Sequence, residues 1–101
     1  MAKVYAIQET PGKNLLAATK FGELEFLLPP KTNLMFSTED ATTRIRSALE
    51  FFTKDDYLLL VGDPVSIGIA TYYAGMNSKK VNMLKWDNRE YKYFPVEVEF
   101  K

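Results

Sequence analysis

Two of the side chains that most often do chemistry are missing from this chain, which has no histidine and no cysteine. Without histidine, the usual general base near neutral pH and the commonest metal ligand are absent. Without cysteine there are no disulfides, no thiolate nucleophile and few ways to hold structural zinc. Carboxylate pairs remain, Glu23 with Glu25 and Glu97 with Glu99, each two residues apart and so on one face of an extended segment. Such pairs can serve as an acid–base couple, but they read equally well as the charges that keep an edge strand from aggregating. Ser66 has no nucleophile elbow around it and no histidine to activate it. The expectation is a protein that is not an enzyme, with no catalytic residue, no metal and no cofactor.

Two places carry residue types suited to binding. The first is Gly62-Asp63-Pro64 with Ser66. Asp is a favoured N-cap and Pro a favoured first helical residue, so a helix should begin here, with free N–H groups and a dipole able to hold a phosphate. Asp63 is itself an anion that can take those donors, and the glycine spacing of a phosphate loop is missing, so a plain cap competes with a nucleotide site. The second place is the C-terminal third, where Lys79, Lys80, Lys85, Arg89 and Lys92 surround Trp86, Tyr91 and Tyr93. That mixture suits a single-stranded nucleic-acid platform or a protein interface. Asp87, Glu90, Glu97 and Glu99 lie among those cations, and aromatic strands also simply pack cores. Arg44 and Arg46, two apart on a helix, splay to different sides and form no clamp.

Elements must exist to position these groups. Lys3 to Gln8 alternates with β-branched and aromatic residues and predicts a first strand. Glu9 to Asn14 is turn-rich, and Leu15 to Lys20 fits either a short helical turn or a loop. Phe21 to Leu28 predicts a second strand, with Leu24, Phe26 and Leu28 sharing a face, ended by Pro29-Pro30. Ser37 or Thr38 caps a helix running to about Phe52, with Ala41, Ile45, Ala48, Leu49 and Phe52 as its apolar stripe. Tyr57 to Val61 is an apolar run without alternation, the mark of a central strand covered on both faces. A second helix follows from Pro64 to about Gly75, with Gly75 and Asn77 supplying a left-handed stop. Val81 to Trp86 should lie parallel to Tyr57–Val61, and a hairpin should bring back Tyr91 to Phe100, with Pro95 confining that arm to an edge or a bulge. The predicted class is α/β (α+β), order ββαβαββ, with two helices packed on one mixed sheet.

At 101 residues, residues 1–101 form one domain, and 47% hydrophobic content is ample for a core. Basic and acidic residues balance at 13 each, so no global field gathers nucleic acid or anionic membrane. No signal peptide or membrane span is expected, which places the protein in a cytoplasm.

Three segments carry a resemblance. They are Asn14-Leu15-Leu16-Ala17-Ala18-Thr19-Lys20-Phe21-Gly22-Glu23, then Leu59-Leu60-Val61-Gly62-Asp63-Pro64 with Ile67-Gly68, then Leu84-Lys85-Trp86-Asp87 with Tyr93 and Pro95. In this order they resemble a family of small proteins of tailed bacteriophages. The resemblance implies a viral origin and the cytoplasm of a bacterial host, and it transfers no active site. It fits a protein that binds a host or phage protein, as a homodimer through an edge strand or an aromatic surface. A sponge for a nucleotide or another phosphorylated signal at Gly62, Asp63 and Ser66 is the second expectation. Single-strand binding through the hairpin is the third.

Overall fold

The computed structural model describes residues 2–10, 14–30 and 38–101. Its five-stranded sheet has the order β2-β1-β3-β4-β5, formed by β1 (Lys3–Gln8), β2 (Glu23–Leu28), β3 (Tyr57–Leu59), β4 (Lys80–Asp87) and β5 (Lys92–Glu99). The first four are mutually parallel and β5 is antiparallel to β4. This is the order of a doubly wound sheet with an antiparallel edge added. The mixed α+β class and the element order agree with expectation. One element is added, a 3-10 helix at Leu16–Phe21 that resolves the undecided Leu15–Lys20 segment.

The sheet is covered differently on its two faces. α1 (Glu39–Ala48) and α2 (Pro64–Asn77) pack on one face, where Ile45, Leu49, Ala70 and Ala74 meet Tyr5, Ile7, Leu58 and Val81. The 3-10 helix lies over the other, where Ala18 meets Val4, Ala6, Leu59 and Leu84. Period-two alternation sends Val4 and Ala6 one way and Tyr5 and Ile7 the other, and all four are buried. The first strand is therefore as interior as the third. Leu58 and Leu59, fully buried on opposite faces, each contribute on the order of 1.5–3 kcal/mol of burial.

Several boundaries move. The central strand ends at Leu59 rather than Val61, because Val61 N–H turns back to the carbonyl of Leu59 at 2.9 Å and swings Leu60 outward. Regular α1 ends at Ala48, and the stretch to Phe52 continues through tightened turns, Glu50 N–H to Ser47 O and Phe52 N–H to Leu49 O. Thr38 is the N-cap without a side-chain cap bond, and Ser37 lies outside the described residues, as do Pro11, Gly12 and Lys13 of the expected turn. α2 runs through Gly75 to Asn77 and ends at Ser78 in extended backbone (φ −150°), so the expected left-handed stop is corrected. Gly75 instead admits the Phe100 ring, which lies 3.1 Å from where a Cβ would stand.

The hairpin register is continuous from Lys80↔Glu99 to Asp87↔Lys92, so Pro95 sits in an edge strand and not at a bulge. Phe100 N–H donates to Lys79 O at 2.7 Å, which sets the phase of the ladder. Alternation then points the backbone of Phe94, Val96 and Val98 toward β4 and that of Tyr93, Pro95, Glu97 and Glu99 outward. Pro95 thus removes a donor from the open edge and none from the sheet.

A buried carboxylate ties the start of β1 to the turn before β3. Asp56, 6% exposed, accepts the Lys3 N–H at 2.9 Å, the Thr53 N–H at 2.9 Å and the Thr53 hydroxyl at 3.2 Å. Among the described residues no helix is long and apolar enough to cross a membrane.

Candidate functional site

The chain leaves β1 toward β2 with the 3-10 helix on one face, and leaves β3 toward β4 with α2 on the other. The carboxyl ends of the neighbouring strands β1 and β3 are therefore where the connections diverge, the place where open α/β sheets form a crevice. Here the crevice is bolted by Gln8. Its N–H donates to Val61 O at 3.2 Å, its Oε1 accepts the Asp63 N–H at 2.9 Å, and its Nε2 donates to Pro29 O at 3.4 Å. Gly62 makes this possible. Its φ of +114° suits only glycine, and a Cβ on it would stand 2.4 Å from Gln8 Cβ.

The Asp63 cap forms as the sequence indicates, with Ser66 N–H donating to Asp63 Oδ2 at 3.0 Å and Pro64 opening the helix. That places a carboxylate on the donors a phosphate would need. Ser66 turns inward with Ala70 and Ala74; it is fully buried, and its Oγ has no hydrogen-bond partner among the described residues. Of the three corner residues, Gly62 lines a cleft, Asp63 is half-buried and Ser66 is closed off.

That cleft, of about 560 Å³ beyond the ends of β3 and β4, joins the two regions that the sequence presents separately. Val61, Gly62, Leu84, Trp86 and Tyr93 line it, and Asn14 and Asn88 supply amides. Among the described residues no carboxylate lines it. Trp86 and Tyr93 are directly opposed across β4 and β5, their rings 4.9 Å apart and edge-on, and the Trp86 indole N–H donates to Asn88 Oδ1 at 2.8 Å. Tyr93 is 4% exposed, and burial raises its phenol above the usual range.

The remaining hairpin residues lie at the rim. Lys85 alternates to the other side of β4 from Leu84 and Trp86, where it opposes Phe94, and its exposed residue borders both this cleft and a second of about 450 Å³ shared with Arg89. Tyr91, 76% exposed and in the left-handed region (φ 53°), stands edge-on to Trp86 at 6.4 Å. Asp87 is engaged in the turn, its Oδ1 accepting the Arg89 and Glu90 N–H groups. Among the described residues no cluster of acids could hold a metal ion, and the one ion pair is Lys3 with Glu25 at 3.4 Å.

Gln8 and Asp56 are the positioning residues that sequence reasoning missed. Each acts on backbone more than fifty positions away, and nothing in its own neighbourhood marks it.

A family model described as phage Pam3 gp32-like protein matches residues 2–100. No curated protein and no solved structure matches the chain.

Proposed function

The chain belongs to the phage Pam3 gp32-like protein family, and from that premise we propose that this small phage accessory protein works by binding, engaging a host or phage protein inside the infected cell with the hairpin end of its sheet. The observation that carries the reading is the aromatic cleft beside an exposed tyrosine. A concave site of this volume, with apolar walls and a few fixed amides, suits an inserted apolar or aromatic side chain. Tyr91, edge-on to Trp86, is a large, exposed anchor of the kind that dominates interface energies, and Lys85 and Arg89, which line the second cleft with Trp86, can meet carbonyl or carboxylate groups of the partner. The lining offers amides, a lysine and a phenol, which is recognition chemistry more than acid–base chemistry.

The test is capture of partners from phage-infected host cells with the wild-type chain and with Tyr91→Ala and Trp86→Leu as baits. A stoichiometric partner retained by wild type and lost by both variants is the expected result. A partner equally retained by both, or no partner at all, would count against the hairpin.

A nucleotide in the same cleft is the second reading, supported by Trp86 and the cleft volume and opposed by the Asp63 carboxylate at the nearby helix start. A nucleotide panel in thermal-shift assays separates the two, since a ligand at a hundredfold its Kd stabilises by about 2.7 kcal/mol. Single-stranded nucleic acid has less support: of Trp86, Tyr91 and Tyr93, only Tyr91 is largely open for stacking.

A further inference from the structure

α2 is unlike an ordinary surface helix. Its 14 residues, PVSIGIATYYAGMN, contain no charged side chain, yet only one side of the helix is used by the sheet, where Ser66, Ala70 and Ala74 are buried. Val65, Tyr72 and Met76 are 56%, 62% and 65% exposed. Their spacings of seven and four put them on one stripe of the helix, turned well away from the buried side. Tyr72 stands edge-on to Tyr73 at 5.1 Å, and both border a groove of about 540 Å³ between α1 and α2, whose far wall is Arg46, Ser47 and Glu50. A helix that is apolar all round is normally covered all round.

We propose that the cover is a second copy of this chain, packed about a two-fold axis on the α2 stripe and the α1 shoulder. Three observations favour a copy over a foreign partner. The stripe has no charge with which to select an unrelated surface. The shoulder carries one cation and one anion, Arg46 and Glu50, neither with an ion-pair partner among the described residues, and a two-fold axis can give each the opposite charge from the other copy. The chain's net charge is zero, so two copies do not repel each other. A specific pairing buries about 1,200–2,000 Å² in total, so the stripe and the shoulder must both take part. This surface is on the helical face of the sheet and is independent of the hairpin cleft.

The test uses the full chain. Sedimentation equilibrium of the wild type should give twice the 11.6 kDa chain mass, and the double variant Tyr72→Glu/Met76→Glu should be monomeric with unchanged circular dichroism, its dimer Kd raised at least a hundredfold. Because the chain has no cysteine, Tyr72→Cys supplies a second measurement that does not depend on how the double variant folds. Mild oxidation should link two Tyr72→Cys chains, while Leu16→Cys, 79% exposed on the 3-10 helix, should stay unlinked. A wild type that stays monomeric at high concentration, a dimer that survives the double variant, or equal cross-linking at both positions overturns the proposal.

Discussion

Gly62 offers a sharp test of how the corner is built, because another glycine in the same chain should respond with the opposite sign. Replacing Gly62 with Ala forces an L side chain to φ +114° and sets its Cβ 2.4 Å from Gln8 Cβ, a distance that requires backbone movement. The unfavourable dihedral costs on the order of 1–3 kcal/mol. Moving β1 away from the corner endangers the Gln8 Oε1 bond to the Asp63 N–H, worth about 1 kcal/mol more. A total near 3 kcal/mol is a large share of the 5–15 kcal/mol (roughly) that holds a domain of this size. It corresponds to a fall in Tm of about 12–24 °C. Gly68, with nothing within 4 Å of a built Cβ in the single chain, should instead gain about 0.5–1 kcal/mol on substitution by Ala in the monomeric Tyr72→Glu/Met76→Glu background, from helix propensity and a restricted unfolded chain. Urea unfolding followed by circular dichroism at one fixed protein concentration measures both. A Gly62→Ala variant within about 0.5 kcal/mol of wild type would refute the account of the corner.

Other expectations follow from individual contacts. Asp56→Ala leaves the part-buried Lys3 and Thr53 N–H groups without their acceptor and should cost about 1–2 kcal/mol, read as a lower urea midpoint; an unchanged midpoint would mean water replaces the carboxylate freely. Tyr5 and Tyr93 should ionise above the ordinary value of 10.0, both because burial disfavours the phenolate and, at Tyr5, also because of the Asp56 charge. Their folded values are raised, so the native state holds these protons more tightly than the unfolded chain. The associated stability is complete below pH 10 and is lost as pH rises through the folded values; ultraviolet titration of tyrosine with and without urea checks the order. Pro95→Val restores an outward N–H to the open edge of β5, and light scattering should detect concentration-dependent association into species larger than those of wild type; a variant with the same size distribution as wild type would mean the proline does not protect that edge.

Local grammar accounts for much of what was legible. Asp63 and Pro64 announce the start of α2 because capping is settled within four residues. Leu58 and Leu59 announce an interior strand because adjacent residues of a strand face opposite ways, so two bulky apolar neighbours call for cover on both faces. Pro95 announces an edge through its missing donor. The cleft was only half legible: Gly62 and Trp86 each drew attention, but nothing in the chain says that positions 24 apart line one cleft. Tyr93 looks like an available ring in sequence and is in fact a buried one, since exposure depends on which side of β5 faces the 3-10 helix.

The sequence alone therefore determined the class, the order of elements and the two helix positions, all of which depend on short-range periodicity and capping. Only the tertiary structure decided the strand order, the double burial of β1, the Gln8 bolt and the Asp56 anchor. The strand order and the covering of β1 rest on which distant strands and helices pair, and the Gln8 and Asp56 ties on hydrogen bonds between residues 55 and 53 positions apart, each of which constrains only the two groups that make it. Such a bond leaves no periodic trace in the chain that separates them.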